Sequence, residues 1–229
     1  MDWPKDIESA KIIQKILRKK IRIFPLKKEP EYVAGVDAAF FRNIAIGVAC
    51  LYRYPDLTFI EETTSITKVL FPYIPSFLSF REGEAIINAI SKLKKKPDMI
   101  LFDGQGIAHP EGMGIATHIG ILLGIPTIGC AKSRLIGDYQ EPGYQKGSWS
   151  FLKYKGKIVG AVLRTRESVK PLFVSPGHMT DLKNSIEITL NCSKNYRIPE
   201  PLRRADLISK KGKRSLAYII HKILGRCSF

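Results

Sequence analysis

Two short apolar runs separated by a helical stretch constrain this chain more than any other feature. Residues 98–102 and 126–130 are almost free of charge after Asp98, and residues 113–123 between them are apolar with helical length. Strands that are apolar on both faces and joined through a helix pair in parallel, inside a sheet covered on both sides. Upstream, strand-like runs at 32–40, 44–52 and 57–69 are punctuated by Asn43 and by Pro55-Asp56, which predicts an antiparallel meander. Downstream, 149–154 and 157–163 read as a hairpin over Lys155-Gly156, followed by a short strand at 172–174 and by helices after Gly177 and Pro201. A helix over 79–93 and an N-terminal one after Asp6 complete the pattern. In the latter, Ile7, Ala10, Ile13 and Leu17 share one face while Lys11, Lys15, Arg18 and Lys19 lie largely off it. The expectation is one α/β domain over 1–229: three antiparallel strands, then alternating helices and strands, flanked by helices.

Charge narrows the partner. Of 229 residues, 37 are Lys or Arg and 21 are Asp or Glu, a formal net charge of +16 that favours a polyanion. The excess sits at both ends, with nine basic against four acidic residues in 1–30 and eight against one in 201–229. Cysteines 50, 130, 192 and 227 form no CxxC pair, so neither a zinc site nor a disulfide framework is implied. The first residues lack a basic start leading into an apolar run, and no apolar stretch reaches membrane-spanning length, so a cytoplasmic location is expected. HExxH, Walker and GxSxG patterns are absent, which disfavours covalent or ATP-driven chemistry.

Acidic residues inside apolar strands mark the candidate chemistry, because a buried carboxylate is costly unless paired or bound to metal. Asp37 lies in Val33-Ala34-Gly35-Val36-Asp37-Ala38-Ala39-Phe40, and Asp103 ends Met99-Ile100-Leu101-Phe102-Asp103 before Gly104-Gln105-Gly106. The carboxyl end of a parallel strand is where α/β sheets hold ligands. Asp103 also suits a cap or turn, and Asp37 a bulge beside Gly35. Glu82, in Ser79-Phe80-Arg81-Glu82, matches a capping box; a metal role requires that helix start to pack beside the aspartates. His109 and His178 follow glycine-containing turns at helix edges, whereas His118 and His221 read as core and surface residues. The loop Phe71-Pro72-Tyr73-Ile74-Pro75-Ser76-Phe77-Leu78 is stiffened by prolines and either presents Tyr73 or tucks it inward.

Taken in order, these segments resemble the endonuclease V family, which acts on deoxyinosine in DNA. The resemblance rests on Val33 to Asp37, Pro72-Tyr73-Ile74-Pro75 with Phe80-Arg81-Glu82, Asp103 to Pro110, Ala131-Lys132-Ser133-Arg134-Leu135, Ser175-Pro176-Gly177-His178, and Arg197-Ile198-Pro199-Glu200-Pro201. It implies a ribonuclease H-like fold and a divalent cation, Mg²⁺ with Mn²⁺ as a substitute, at Asp37, Glu82 and Asp103. Asp206 is the matching further acid from the C-terminal helix. Lys132 would supply charge to the phosphate and His178 would position a water or phosphate. Tyr73, Ile74 and Pro75 form the implied wedge, and Leu78, Gly104, His109, Gly114, Ile115 and Leu135 the pocket for an extruded hypoxanthine, read by amides beside Gly104 and Gly114. The implied reaction, by a monomer, cuts the second phosphodiester 3′ to the lesion, with inosine-containing RNA an open alternative substrate. Ser76 stands where the family commonly has glycine, and Glu111-Gly112-Met113 replaces a segment that is often basic. Two rival readings stand beside this one: another ribonuclease H-like nuclease without the lesion pocket, and a non-catalytic basic binding module.

Overall fold

A computed structural model describes residues 3–224, with side chains through Lys222; Cys227 lies outside the described residues. Its elements in chain order are α1 (Ile7–Arg18), β1 (Tyr32–Phe41), β2 (Ile44–Arg53), β3 (Thr58–Lys68), α2 (Leu78–Ile90), β4 (Met99–Phe102), α3 (Ile115–Leu123), β5 (Thr127–Ala131), β6 (Trp149–Tyr154), β7 (Lys157–Leu163), β8 (Leu172–His178), α4 (Leu182–Asn191) and α5 (Glu200–Leu224). The eight strands form one sheet in the order β3-β2-β1-β4-β5-β8-β7-β6. The meander β1–β3 is antiparallel, β4 and β5 add in parallel, and β8, β7 and β6 complete an antiparallel half.

Strand alternation divides the core into two layers. Ala34, Val36, Ile100 and Phe102 pack with Ile86 and Ala89 of α2 and with Ala116 and Ile119 of α3. Their neighbours Val33, Met99 and Leu101 point the other way, toward Ile188 of α4 and Leu202 of α5. Period-two side-chain direction thus puts α2 and α3 on one face and α4 and α5 on the other. Among the described residues no helix is long and apolar enough to cross a membrane.

Three expectations are corrected. α1 buries Ala10, Gln14 and Leu17, whereas Ile7 is 41% exposed. Gln14 takes an inward place because its amide donates to the Ser76 carbonyl at 3.2 Å. Ser79 does not cap α2. Phe77 stands at the cap without a side-chain bond, and the Ser79 hydroxyl pairs with His118 Nδ1 at 2.8 Å. Finally, Ser175-Pro176-Gly177 is no turn: β8 continues through it to His178, and a bulge opposite Thr127 and Ile128 absorbs the proline. α4 begins only at Leu182, capped by the Asp181 carboxylate at 2.8 Å from the Asn184 amide.

Candidate active site

Strand register creates the acidic centre. β1 and β4 run in parallel with Val36 beside Phe102, so Asp37 and Asp103, one residue further on each strand, emerge as neighbours at the same sheet end. α5 crosses that face and adds Asp206. One carboxylate oxygen from each of Asp37, Asp103 and Asp206 lies within 4.8 Å of the others. Oxygen donors at this spacing suit a hard divalent cation.

Glu82 is not a member of that group. It rises from α2, on the opposite face of the sheet, yet the charges of Asp37 and Asp103 reach it. Burial foremost, and then those two carboxylates, push the Glu82 carboxyl up to about 8, with Arg81 opposing. Asp37 is pushed up to about 6, again chiefly by burial, while a hydrogen bond from the Ser209 hydroxyl pulls the other way. Lys132, just beyond β5, donates to Asp103 and lies 3.8 Å from Asp206. Burial draws its ammonium down, but the bond to Asp103 and the neighbouring carboxylates carry it above the ordinary lysine value.

Beside the acids opens a cavity of about 450 Å³, within the range of small-ligand sites. Leu78, Gly104, His109, Gly114, Ile115 and Leu135 all line it, as do Tyr73, Ile74 and Pro75 of the proline-stiffened loop. Tyr73 is 70% exposed at its rim, so the aromatic is presented rather than tucked inward. Gly114 has to be glycine: a Cβ there would stand 2.2 Å from the Gln105 carbonyl oxygen. The amides of Gly104 and Gly114 are already engaged, by the carbonyls of Phe102 at 2.9 Å and Gly106 at 3.0 Å.

The endonuclease V family model matches residues 15–207. Endonuclease V of Dictyoglomus turgidum is 47% identical over 217 residues, covering 92% of this chain and 95% of that protein. This chain belongs to the endonuclease V family. The crystal structure of endonuclease V from Streptomyces avermitilis superposes with a TM-score of 0.90 at 37% identity, covering 94% of this chain and 96% of the other. That of Ciona intestinalis endonuclease V, in complex with a 24mer DNA containing an inosine followed by a ribo-adenosine, gives 0.80 at 28% identity, covering 93% and 100%. The sheet and helices described above are thus the ribonuclease H-like fold of endonuclease V.

His178 does not reach the acids. It pairs with Thr127 at the start of β5, whereas Lys132 follows the end of that strand, about 16 Å away. Its Nδ1 accepts from the Arg22 amide at 3.3 Å, a structural bond between β8 and the segment after α1. His109 Nδ1 accepts from the Glu111 amide at 3.2 Å, so its loop is pinned against the cavity. Ser76 adopts φ +70°, a left-handed backbone conformation that glycine accommodates at least cost.

Two side-chain roles escaped the sequence reading, that of Ser209 and that of Arg197. Ser209 shares its hydroxyl between Asp37 and the Asp206 carbonyl, 3.0 Å away; the signal was its place three residues after Asp206, on one helical face. Arg197 donates to the carbonyls of Lys132 at 2.7 Å and Pro171 at 2.8 Å, fixing the main chain that carries Lys132. Orienting bonds of the Ser209 kind typically alter metal affinity by about 10–100-fold. Ser209→Ala is expected to raise by that factor the Mg²⁺ concentration needed to shift the melting temperature, and an unchanged midpoint would remove Ser209 from the site.

Proposed function

We propose that this protein is a metal-dependent endodeoxyribonuclease of DNA repair that recognises deoxyinosine and hydrolyses the second phosphodiester 3′ to it. The convergence of Asp37, Asp103 and Asp206 within 4.8 Å, directly beside a nucleobase-sized cavity, carries this reading. Those three carboxylates would hold a divalent cation, Mg²⁺ with Mn²⁺ as a substitute. When bound, the ion polarises the scissile phosphate and lowers the pKa of a water.

The chain's own residues supply the rest. Lys132 turns from Asp103 to the incoming phosphate, exchanging one anion for another. Glu82, approaching from the far face, holds a water against the acidic group. Tyr73 fills the gap in the stack, and the extruded hypoxanthine enters the cavity lined by Leu78, His109, Ile115 and Leu135, where the main chain beside Gly104 and Gly114 supplies the donors for its O6. A mispaired inosine costs less to unstack than a normal pair, which favours extrusion of the lesion over its neighbours. The inosine-containing DNA bound by the Ciona protein supports this assignment, and its ribo-adenosine keeps a ribonucleotide 3′ of the lesion among the substrates to test.

The test is a nicking assay on matched duplexes with and without one deoxyinosine. Cleavage is expected only with the lesion and only with Mg²⁺ or Mn²⁺, leaving a 3′ hydroxyl one nucleotide beyond it. Equal cutting of both duplexes would favour a general ribonuclease H-like nuclease. Binding without any cutting would favour a non-catalytic basic module.

A further inference from the structure

We propose that Lys11, Lys15 and Arg18, a stripe along α1, grip the DNA backbone 5′ of the lesion, across the Tyr73 loop from the cleavage centre. This extends the function proposed above and rests on it for the direction of the strand.

The three cations are exposed and recur at four- and three-residue spacing, so they stack along one side of α1. Among the described residues, neither Lys11 nor Lys15 forms an ion pair, and Arg18 meets only Glu111 at 3.5 Å. A solvated charged face would be convex. This one instead lines a second cavity of about 510 Å³, together with Gln14, Ser76, Phe77, Pro110 and Glu111.

Ser76 lines both cavities, so the loop carrying Tyr73 is the wall between them. The bond from Gln14 Nε2 to the Ser76 carbonyl fixes α1 to that wall. With a base in the first cavity and its 3′ side over Asp103 and Lys132, which also line that cavity, the 5′ side of the strand has the groove across the wall, along α1, open to it. Lys11 to Arg18 spans about 10 Å of helix, enough to face two or three successive phosphates at roughly 3.4 Å of duplex axis per nucleotide. Glu111 is the one anion in this groove, and its pairing with Arg18 is solvent-exposed, hence weakly held against an arriving phosphate.

The experiment measures kcat/KM for a deoxyinosine duplex over a range of salt, with Mg²⁺ fixed, for the wild type and for Lys11→Gln/Lys15→Gln. Each lost phosphate contact removes about 0.9 from the slope of log affinity against log salt, so the double variant should lose about 1.8. On a duplex ending at the lesion on its 5′ side, wild type and variant should coincide. Glu111→Gln, which releases Arg18, should tighten KM two- to fivefold at low salt. An unchanged slope, or the same loss on the truncated duplex, would overturn the proposal. Should the double variant fail to fold, an unaltered KM in Glu111→Gln would overturn it alone. Salt slopes on undamaged duplex read the stripe even if deoxyinosine proves not to be the lesion, so the two readings fail separately.

Discussion

Asp37→Asn is expected to abolish cleavage and, in the same protein, to raise the melting temperature of the metal-free form. The first effect follows from removing a cation ligand: transition-state stabilisation of several kcal/mol disappears, a fall of about 10³-fold or more in rate. The second follows from the energetics of the empty cluster. Asp37 is largely buried beside Asp103 and Asp206, and its carboxyl is held up at about 6 against an unfolded value near 3.8. Above pH 6 that ionised group therefore costs the native state on the order of 2–3 kcal/mol. Asparagine keeps an oxygen to accept from Ser209 and discards the charge. For a chain of this size the gain corresponds to about 5–10 °C.

The sign of the pH dependence follows. A folded pKa above the unfolded one means that the native state binds more protons between the two. The stability contribution is then complete below about pH 4 and is lost as pH rises through about 6 for Asp37; for Glu82 the loss extends through about 8. Metal-free wild type should become less stable across this range, and Asp37→Asn should flatten the lower part. Saturating Mg²⁺ should reverse the trend in the wild type, because the cation binds the ionised carboxylates. Differential scanning calorimetry from pH 4 to 9, with and without Mg²⁺, reads all of this. A melting temperature that falls in Asp37→Asn would mean that the carboxylate is a structural anchor, as in a binding module, and would sink the metal-site reading.

How much of this was visible in the sequence depended on the range of the determining interactions. The strands were legible because period-two burial is local, and Asp37 and Asp103 stood out as acids in apolar runs. Their meeting needed the β1–β4 register, which no local pattern encodes. Asp206 lies in Arg203-Arg204-Ala205-Asp206, where an acid among bases looks like any solvated helix residue; the family resemblance alone singled it out, and the docking of α5 on β1 supplies the physical reason. Ser79 and Glu82 matched a capping box, but packing of Phe71, Phe77 and Phe80, with ring centroids 5.7–6.2 Å apart, sets the helix start earlier and frees Ser79 for His118. His178 misled for a similar reason. Ser-Pro-Gly is ordinary turn chemistry, and only pairing with β5 draws it into a strand whose end lies far from the acids.

The docking of α5 supplies the other large expected effect, carried by a residue with no chemistry of its own. A Cβ on Gly35 would lie 2.2 Å from the Pro201 carbonyl carbon and 2.4 Å from the Leu202 nitrogen, so the first turn of α5 rests directly on the β1 backbone. That contact is main chain against main chain and cannot be relieved by a rotamer change. In Gly35→Ala the helix has to lift, and on α5 the residues that lift with it include Asp206 and Ser209, the partners of Asp37 two positions along β1. Overpacking of this kind costs about 1–3 kcal/mol or more, and the widened site should lose its cation. The expected outcome is a lower melting temperature, a Mg²⁺-induced stabilisation reduced to near zero, and cleavage down by about 10²-fold or more, since a misplacement of about 1 Å alone can cost that much. The Mg²⁺ shift is the deciding measurement. If Gly35→Ala is destabilised yet keeps the full shift, the helix has adjusted without moving Asp206, and the close approach at Gly35 serves the fold rather than the acidic centre.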